Sequence, residues 1–200
     1  MVREAARKGH THVLKWLDEH DDNSCNLWKD YDFSPMDEAA KFGHLDAMQW
    51  LHENRNDCYA GPANGHLEVV QWLDRYRNDE CTTWAMDGAA QNNHLDVVQW
   101  LHSNRREGCT KAAIDGAAAR GHLSIVKWIL ENVAGNGGMQ WWGWAFTAAV
   151  DNGQVDIAKW MYVTFQDRMT DSIIRSALST AEENGHEKMV QWLRMEQRVR

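Results

Sequence analysis

The fold of this chain is decided by residues 85–102, which read AMDGAAQNNHLDVVQWLH. The first half of this stretch predicts a short helix with a face of small side chains. Asn93 then follows, and Asn, like Gly, tolerates the left-handed backbone conformation that ends a helix. A second helix begins at once at His94, with Asp96 in the first turn, where the helix dipole favours negative charge. The stretch therefore predicts two short helices joined by a tight turn.

The apolar surface of the second helix is too wide for a lone helix pair to cover. At 100° per residue its apolar side chains, from Trp100 through Val97 to Leu95, span an arc of about 220°, against about 100° for an ordinary surface helix. Neighbouring helix pairs supply the missing cover when they stack in a line. The pattern therefore predicts a helical solenoid.

The same phrase recurs along the whole chain, which indicates a repeat architecture. Its marker is a tryptophan that returns after 34, 22, 28, 28, 32 and 32 residues, at Trp16, Trp50, Trp72, Trp100, Trp128, Trp160 and Trp192. We expect a single domain over residues 1–200 with about seven helix-turn-helix units. Their approximate boundaries are 1–20, 21–54, 55–76, 77–104, 105–133, 134–166 and 167–200. The third unit is irregular, because Pro62 and the short spacing leave no room for a full first helix, and we expect a break near residues 56–64.

This repeat resembles the ankyrin repeat. Residues 34–40, SPMDEAA, are similar to the Thr-Pro-Leu-His-x-Ala-Ala opening of that family, and Gly43-His44 matches the phrase that follows it. The resemblance covers the whole chain and implies an all-α, ankyrin-like helical-repeat solenoid. It also implies a hydrogen bond across the turn from the family's His position, which polar residues occupy here: Asp37, Asp87, Asp115, Thr147 and Ser179. Units of 28 residues fall short of the usual 33, so we expect the β-hairpin fingers to be trimmed to tight turns.

The charge distribution argues against nucleic acid and membrane surfaces as partners. Residues 1–100 carry 9 Lys and Arg against 18 Asp and Glu, a net −9, while residues 101–200 carry 12 against 11, a net +1. Binding to phosphates requires clustered positive charge. The first residues are charged and lack the apolar core of a secretory signal. We expect a cytoplasmic monomer, with the nucleus as an open alternative, whose partner is a protein.

Ten His and four Cys invite a metal hypothesis, but their spacing does not support one. Cys81 and Cys109 each precede a His by 13 residues because the repeat imposes that interval, and no C-x-x-C pair exists. We interpret the Cys residues as structural thiols. The His residues that begin second helices are interpreted as turn and capping residues: His10, His44, His66, His94, His122 and His186. Phosphate-binding loops and hydrolase or metalloprotease motifs are absent. We expect no metal, no cofactor and no catalysis.

The twelve tryptophans divide into packing residues and candidate contacts. The seven repeat Trp residues are expected at or near the core, so that Trp100→Ala costs about 3–5 kcal/mol. Trp84 and Trp144 share one slot and are expected to pack in first helices. Trp141 and Trp142 follow the Gly-rich run 134–140 on a predicted loop. Either they anchor a partner or they fold back to cover a repeat edge.

The resemblance implies protein binding through a concave face made of first helices and turns. The residues just before each turn vary while the packing residues beside them do not, which suits a recognition surface. The candidate contacts are Trp28, Tyr31, Phe42, Asn92, Arg120, Trp141 and Trp142. A structural spacer within a longer repeat array is the alternative. An enzyme or metal-binding protein is the reading that the sequence favours least.

Overall fold

The structure is a computed structural model that describes residues 1–21, 28, 34–55, 65–76, 83–133 and 138–199. Within these ranges the chain forms thirteen α-helices and a short 3-10 helix at Gln166–Arg168, and no residue is in a strand. The all-α fold class is confirmed.

Twelve of the helices form six successive pairs, as the repeat predicts. The pairs are α1 (Val2–Arg7) with α2 (Thr11–Glu19), α3 (Pro35–Lys41) with α4 (Leu45–Arg55), α6 (Thr83–Gln91) with α7 (Leu95–Asn104), α8 (Lys111–Ala119) with α9 (Leu123–Asn132), α10 (Gly138–Asp151) with α11 (Val155–Thr164), and α12 (Asp171–Glu183) with α13 (Glu187–Val199). The third unit contributes α5 (Leu67–Tyr76), its second helix. The predicted break near residues 56–64 lies outside the described residues.

The chain forms two compact units, Met1–Ala85 and Met86–Arg200. In the first unit α1 packs against α3 and α2 against α4. In the second, α8 packs against α10 and α10 against α12, while α9 packs against α11. Like helices therefore contact like helices of the adjacent repeat, which is the stacking of a helical solenoid within each unit. The assignment of residues 1–200 to a single domain stays a prediction.

The core of each stack is built from small residues on first helices and branched residues on second helices. The pairs Ala39-Ala40 and Ala117-Ala118 are fully buried, and their small side chains allow first helices to approach closely. Ile125 and Ile129 fill the corresponding layer on α9 and are likewise buried. The packing argument from the wide apolar arc thus holds within each unit.

The connection between α7 and α8 shows how short the finger has become. Residues 105–110 join the two helices without any strand, and Gly108 adopts a φ of 69° at the bend. The prediction of a trimmed hairpin finger is confirmed at this connection.

The turn inside each repeat leaves room for a side chain of the next repeat. Gly153 lies in the left-handed region with a φ of 66°. The Nε2–H of His186 donates a hydrogen bond of 2.8 Å to the carbonyl of Asp151, at the end of the preceding first helix. A Cβ on Gly153 would lie only 2.8 Å from Nδ1 of His186. The glycine is therefore needed both for its backbone conformation and for the space it leaves.

This hydrogen bond between repeats recurs in both units of the chain. It joins His44 to the Arg7 carbonyl at 2.9 Å, His122 to the Gln91 carbonyl at 3.1 Å, and Gln154 to the Ala119 carbonyl at 2.9 Å. His122 is the N-cap residue of α9, but its side chain makes no capping bond within that helix. The capping interpretation of these residues is wrong there, because the imidazole N–H is a donor and pairs with a helix-ending carbonyl instead.

Candidate functional site

The ends of the first helices present exposed side chains above the buried alanine pairs. Three repeats have Phe42, Asn92 and Arg120 at this position, and all three residues are exposed. The alanines two or three residues earlier are buried, so the backbone here is fixed by packing while the outer side chain is free to differ. The geometry suits a surface whose chemistry varies from repeat to repeat.

Phe42 is the aromatic centre of this surface in the first unit. Phe42 as a whole residue is 38% exposed. The guanidinium carbon of Arg7 lies 5.2 Å from the ring centroid, and Nζ of Lys41 lies 5.8 Å from it. Both distances are within the range of a cation–π contact. Phe42 therefore combines an apolar face with two cations.

Asn92 and Arg120 are oriented by local hydrogen bonds. Nδ2 of Asn92 donates to the Gly88 carbonyl at 2.9 Å, and Nη1 of Arg120 donates to Oε1 of Gln91 at 3.3 Å. These bonds restrict the two side chains while leaving them exposed at the surface. Both remain available as polar contacts.

Of the aromatic candidate contacts Trp28 and Tyr31, the structure describes only Trp28. Trp28 is half-buried against the core of the first unit, 6.3 Å from the Trp50 ring, with the Arg55 guanidinium 4.2 Å above it. Tyr31 lies outside the described residues. Trp28 is thus a packed ring rather than a projecting one.

Trp141 and Trp142 lie within α10, so their placement on a loop is wrong. Trp142 is only 6% exposed, and its ring contacts those of Phe146 at 5.9 Å and Phe165 at 6.0 Å. Because Trp142 and Phe146 are four residues apart, a helix brings both onto one apolar face, and that burial favours helix over loop. For Trp142 the structure fits the alternative in which the ring covers a repeat edge better than the alternative in which the ring anchors a partner.

Trp84 is an exposed aromatic that sequence reasoning missed, and Trp16 and Tyr76 are others among the described residues. Trp84 was expected to pack within a first helix, yet it is 74% exposed. On α6 the buried residues Met86, Ala89 and Ala90 define the core direction, and at 100° per residue Trp84 points about 160° away from Met86. Helical phase was the signal that could have found it. Trp144, in the same slot, is half-buried with Nζ of Lys111 5.3 Å from its ring.

The seven repeat tryptophans are not equally buried. Trp72 and Trp192 are buried, Trp16 is 56% exposed, and the others, Trp100 included, are half-buried. We therefore expect Trp100→Ala to lower the free energy of unfolding by less than the about 3–5 kcal/mol expected for a fully buried ring. Several of these rings receive an edge contact from the previous repeat: His52 on Trp72 at 5.2 Å, His102 on Trp128 at 5.1 Å and Tyr162 on Trp192 at 5.7 Å. Their role in these contacts is to join repeats.

Comparison with known families agrees with this architecture. Residues 2–52 and 83–130 match the family described as ankyrin repeats (many copies). The chain belongs to the ankyrin-repeat family. No curated protein sequence matches this ankyrin-repeat chain significantly.

In the fourth repeat, Asp87 occupies the position at which the ankyrin repeat has His. The side chain of Asp87 connects two repeats. Its carboxylate is buried and accepts hydrogen bonds from the backbone N–H of Thr110 at 2.7 Å and from its Oγ1 at 2.5 Å. Thr110 is the N-cap residue of α8 and accepts from the Ala112 N–H. The predicted hydrogen bond across the turn is confirmed here, and it reaches the N-cap residue of the next repeat.

Cys109 lies beside this bridge and is a protected thiol. Burial, and secondarily the Asp87 carboxylate, raise the pKa of the Cys109 thiol from 9.0 to about 12. The thiolate is the reactive species, so Cys109 fits the predicted structural role. The other three Cys residues lie outside the described residues. Among the described side chains, no group of three or more His, Cys, Asp and Glu could hold a metal ion.

We expect iodoacetamide to label Cys109 slowly in the folded protein up to about pH 10 and at an ordinary rate in urea. The folded state keeps the thiol proton after the unfolded state has lost it. The thiol's contribution to stability is therefore complete below pH 9 and is lost as the pH rises from 9 towards 12. Peptide-resolved mass spectrometry of the labelled chain measures both rates. Equal rates at pH 8 in buffer and in urea would contradict this assignment.

No helix among the described residues of this ankyrin-repeat chain is both long and apolar enough to cross a membrane. Ankyrin repeats generally act as protein–protein interaction modules and are typically non-catalytic.

Proposed function

We propose that this chain is a non-catalytic module that binds a partner protein through the exposed side chains of its first helices. The proposal extends the general role of ankyrin repeats to a defined surface here. The first-helix surface comprises Phe42 and Trp84 in the first compact unit, while Asn92 and Arg120 are separate candidate contacts of the second compact unit. Trp28 and Trp142 are left out because their rings are packed, and Tyr31 and Trp141 stay predictions from sequence.

The observation that carries the proposal is the exposure of two large aromatic residues, Phe42 at the C-cap of α3 and Trp84 in the first turn of α6. Trp84 is 74% exposed and Phe42 is 38% exposed, although the helices beneath them are fixed by buried alanines and methionines. Exposed aromatic side chains are costly to solubility and are enriched among the residues that dominate binding energy. Arg7 and Lys41 beside Phe42 add charge that selects the partner.

The test is affinity purification with quantitative mass spectrometry of the full chain and of the double variant Phe42→Ala, Trp84→Ala. We expect the recovery of specific partners to fall roughly tenfold or more, because each anchor of this kind contributes more than about 1 kcal/mol. Trp16→Ala is the matched control, since it removes an exposed Trp from a second helix.

An unchanged partner profile in the double variant would overturn the first-helix surface. If the parent chain itself retains no partner through washing, the structural-spacer alternative replaces the binding module. Thermal unfolding of each variant shows that the folds being compared are intact.

A further inference from the structure

A cavity of about 560 Å³ opens in the second compact unit, on the side of the second helices. It lies between the first turns of α11 and the start of α13. The residues that give it its chemistry are Asp156, Lys159, Lys188, Gln191, Trp192 and Met195. Its volume is within the range of small-ligand sites, about 300–1,000 Å³. None of the first-helix residues proposed above as contacts lines it.

Lys188 departs from the pattern of the repeat at this cavity. The residue four before the repeat Trp is acidic in four other units, at Asp46, Glu68, Asp96 and Asp156. In each it lies in the first turn of a second helix, where negative charge is favoured by the helix dipole. Lys188 places a positive charge at the same point of α13. Glu187 keeps an acidic residue in the first turn of α13, so Lys188 is a departure at this one position from the pattern of the other four repeats.

The two lysines of the cavity keep their charges available. Lys159 and Lys188 are both exposed, and neither forms an ion pair with any residue in the described ranges. Asp156 is the one carboxylate among the lining residues, so the lining carries a net charge of +1 within a chain of net charge −8. The cavity is thus a local positive site on an acidic protein.

An apolar floor lies beside these charges. Trp192 is buried and held in place, because Tyr162 contacts its ring edge-on at 5.7 Å and its Nε1–H donates to Oε1 of Glu196 at 3.1 Å. Met195, one helical turn away, is 65% exposed. Methionine is flexible and polarizable, and exposed methionines recur on surfaces that accept varied apolar groups. A rigid ring and an adaptable thioether thus stand next to two ammonium groups.

We propose that this cavity binds an acidic peptide segment in which a large apolar side chain stands next to carboxylates. The carboxylates pair with Lys159 and Lys188, and the apolar side chain covers Met195 and the part of Trp192 that lines the cavity. A free inorganic anion uses the lysines but leaves the apolar floor uncovered, so the peptide accounts for both halves of the lining. This is a second binding site, separate from the first-helix surface.

The test is fluorescence anisotropy of the full chain with a fluorescein-labelled octapeptide that alternates Glu and Leu. We expect saturable binding, weakened at least tenfold by the double variant Lys159→Glu, Lys188→Glu and weakened by raising the salt concentration. Lys15→Glu is the matched control, because Lys15 is exposed and precedes Trp16 as Lys159 precedes Trp160. It is expected to leave binding unchanged, as is the Phe42→Ala, Trp84→Ala variant.

Two further peptides separate the components of the site. A Gln–Leu octapeptide lacks the charges and a Glu–Gly octapeptide lacks the apolar groups, and we expect both to bind at least tenfold more weakly. Equal binding of Glu–Gly and Glu–Leu, or full competition by millimolar inorganic phosphate, would reduce the cavity to a simple anion site and overturn the proposal. Absence of saturable Glu–Leu binding, or binding that is indifferent to the Lys159 and Lys188 changes, overturns it as well. Loss through the Phe42 and Trp84 changes instead assigns the peptide to the first-helix surface.

Discussion

Leu14→Ala is expected to lower the free energy of unfolding by about 2–5 kcal/mol, the range for emptying a fully buried aliphatic site. Leu14 lies on α2 with no exposed surface, inside the core shared with α1 and α4. Removing its branched end leaves a cavity that the neighbouring helices cannot close without breaking their own packing. Urea unfolding followed by far-UV circular dichroism measures the loss.

The control for this prediction is Trp16→Ala, two residues along the same helix. Trp16 is 56% exposed and stacks on His20 at 4.4 Å, so its removal is expected to cost only about 1–2 kcal/mol from the apolar area involved. Loss of the smaller residue, Leu14, is thus expected to destabilise the protein more than loss of the larger residue, Trp16, because burial and not size determines the loss of stability. Equal losses for the two variants would show that the first repeat is not packed as described.

Gly153→Ala is expected to lower the free energy of unfolding by about 1.5–3.5 kcal/mol, from two separate causes. An alanine at a φ of 66° pays about 1–2 kcal/mol for the left-handed conformation. Its Cβ also meets the His186 ring and displaces the hydrogen bond to Asp151, which is worth about 0.5–1.5 kcal/mol. Thermal and urea unfolding measure the sum.

Gly185→Ala isolates the first of these causes. Gly185 has a φ of 71°, but a Cβ there meets no atom within 4 Å. We therefore expect a loss of about 1–2 kcal/mol, smaller than that for Gly153→Ala. If both variants lose the same stability, the close approach of His186 contributes nothing and only the backbone conformation matters.

The architecture could be predicted from sequence because it is encoded locally and repeatedly. The Gly and Asn turns, the alanine pairs and the wide apolar arc each specify one step of the stack. At the turn, Asn93 has a φ of 66°, as the left-handed conformation requires. The fold class followed from these features without any long-range information.

The exposure of individual aromatics was harder to predict, because it depends on which neighbour covers them. Trp16 and Trp72 occupy the same repeat position, yet His52 of the preceding repeat contacts Trp72 while Trp16 is 56% exposed. Trp142 was expected on a loop because a Gly-rich run precedes it, but its packing against Phe146 and Phe165 accompanies a helix from Gly138 onward. Trp84 and Trp144 share one position of the repeat, which predicts packing for both, but helical phase turns Trp84 away from the buried face of α6.

The close fit between each glycine turn and the polar side chain of the next repeat constrains how such arrays can be shuffled. Gly9 faces His44, Gly43 faces His66, Gly121 faces Gln154 and Gly153 faces His186. A repeat moved to another position in an array brings its own glycine turn and its own imidazole or amide. Each of these must then pair with the corresponding residue of a new neighbouring repeat. Recombination or design that joins modules should therefore keep each glycine turn matched to the imidazole or amide that the following repeat presents to it.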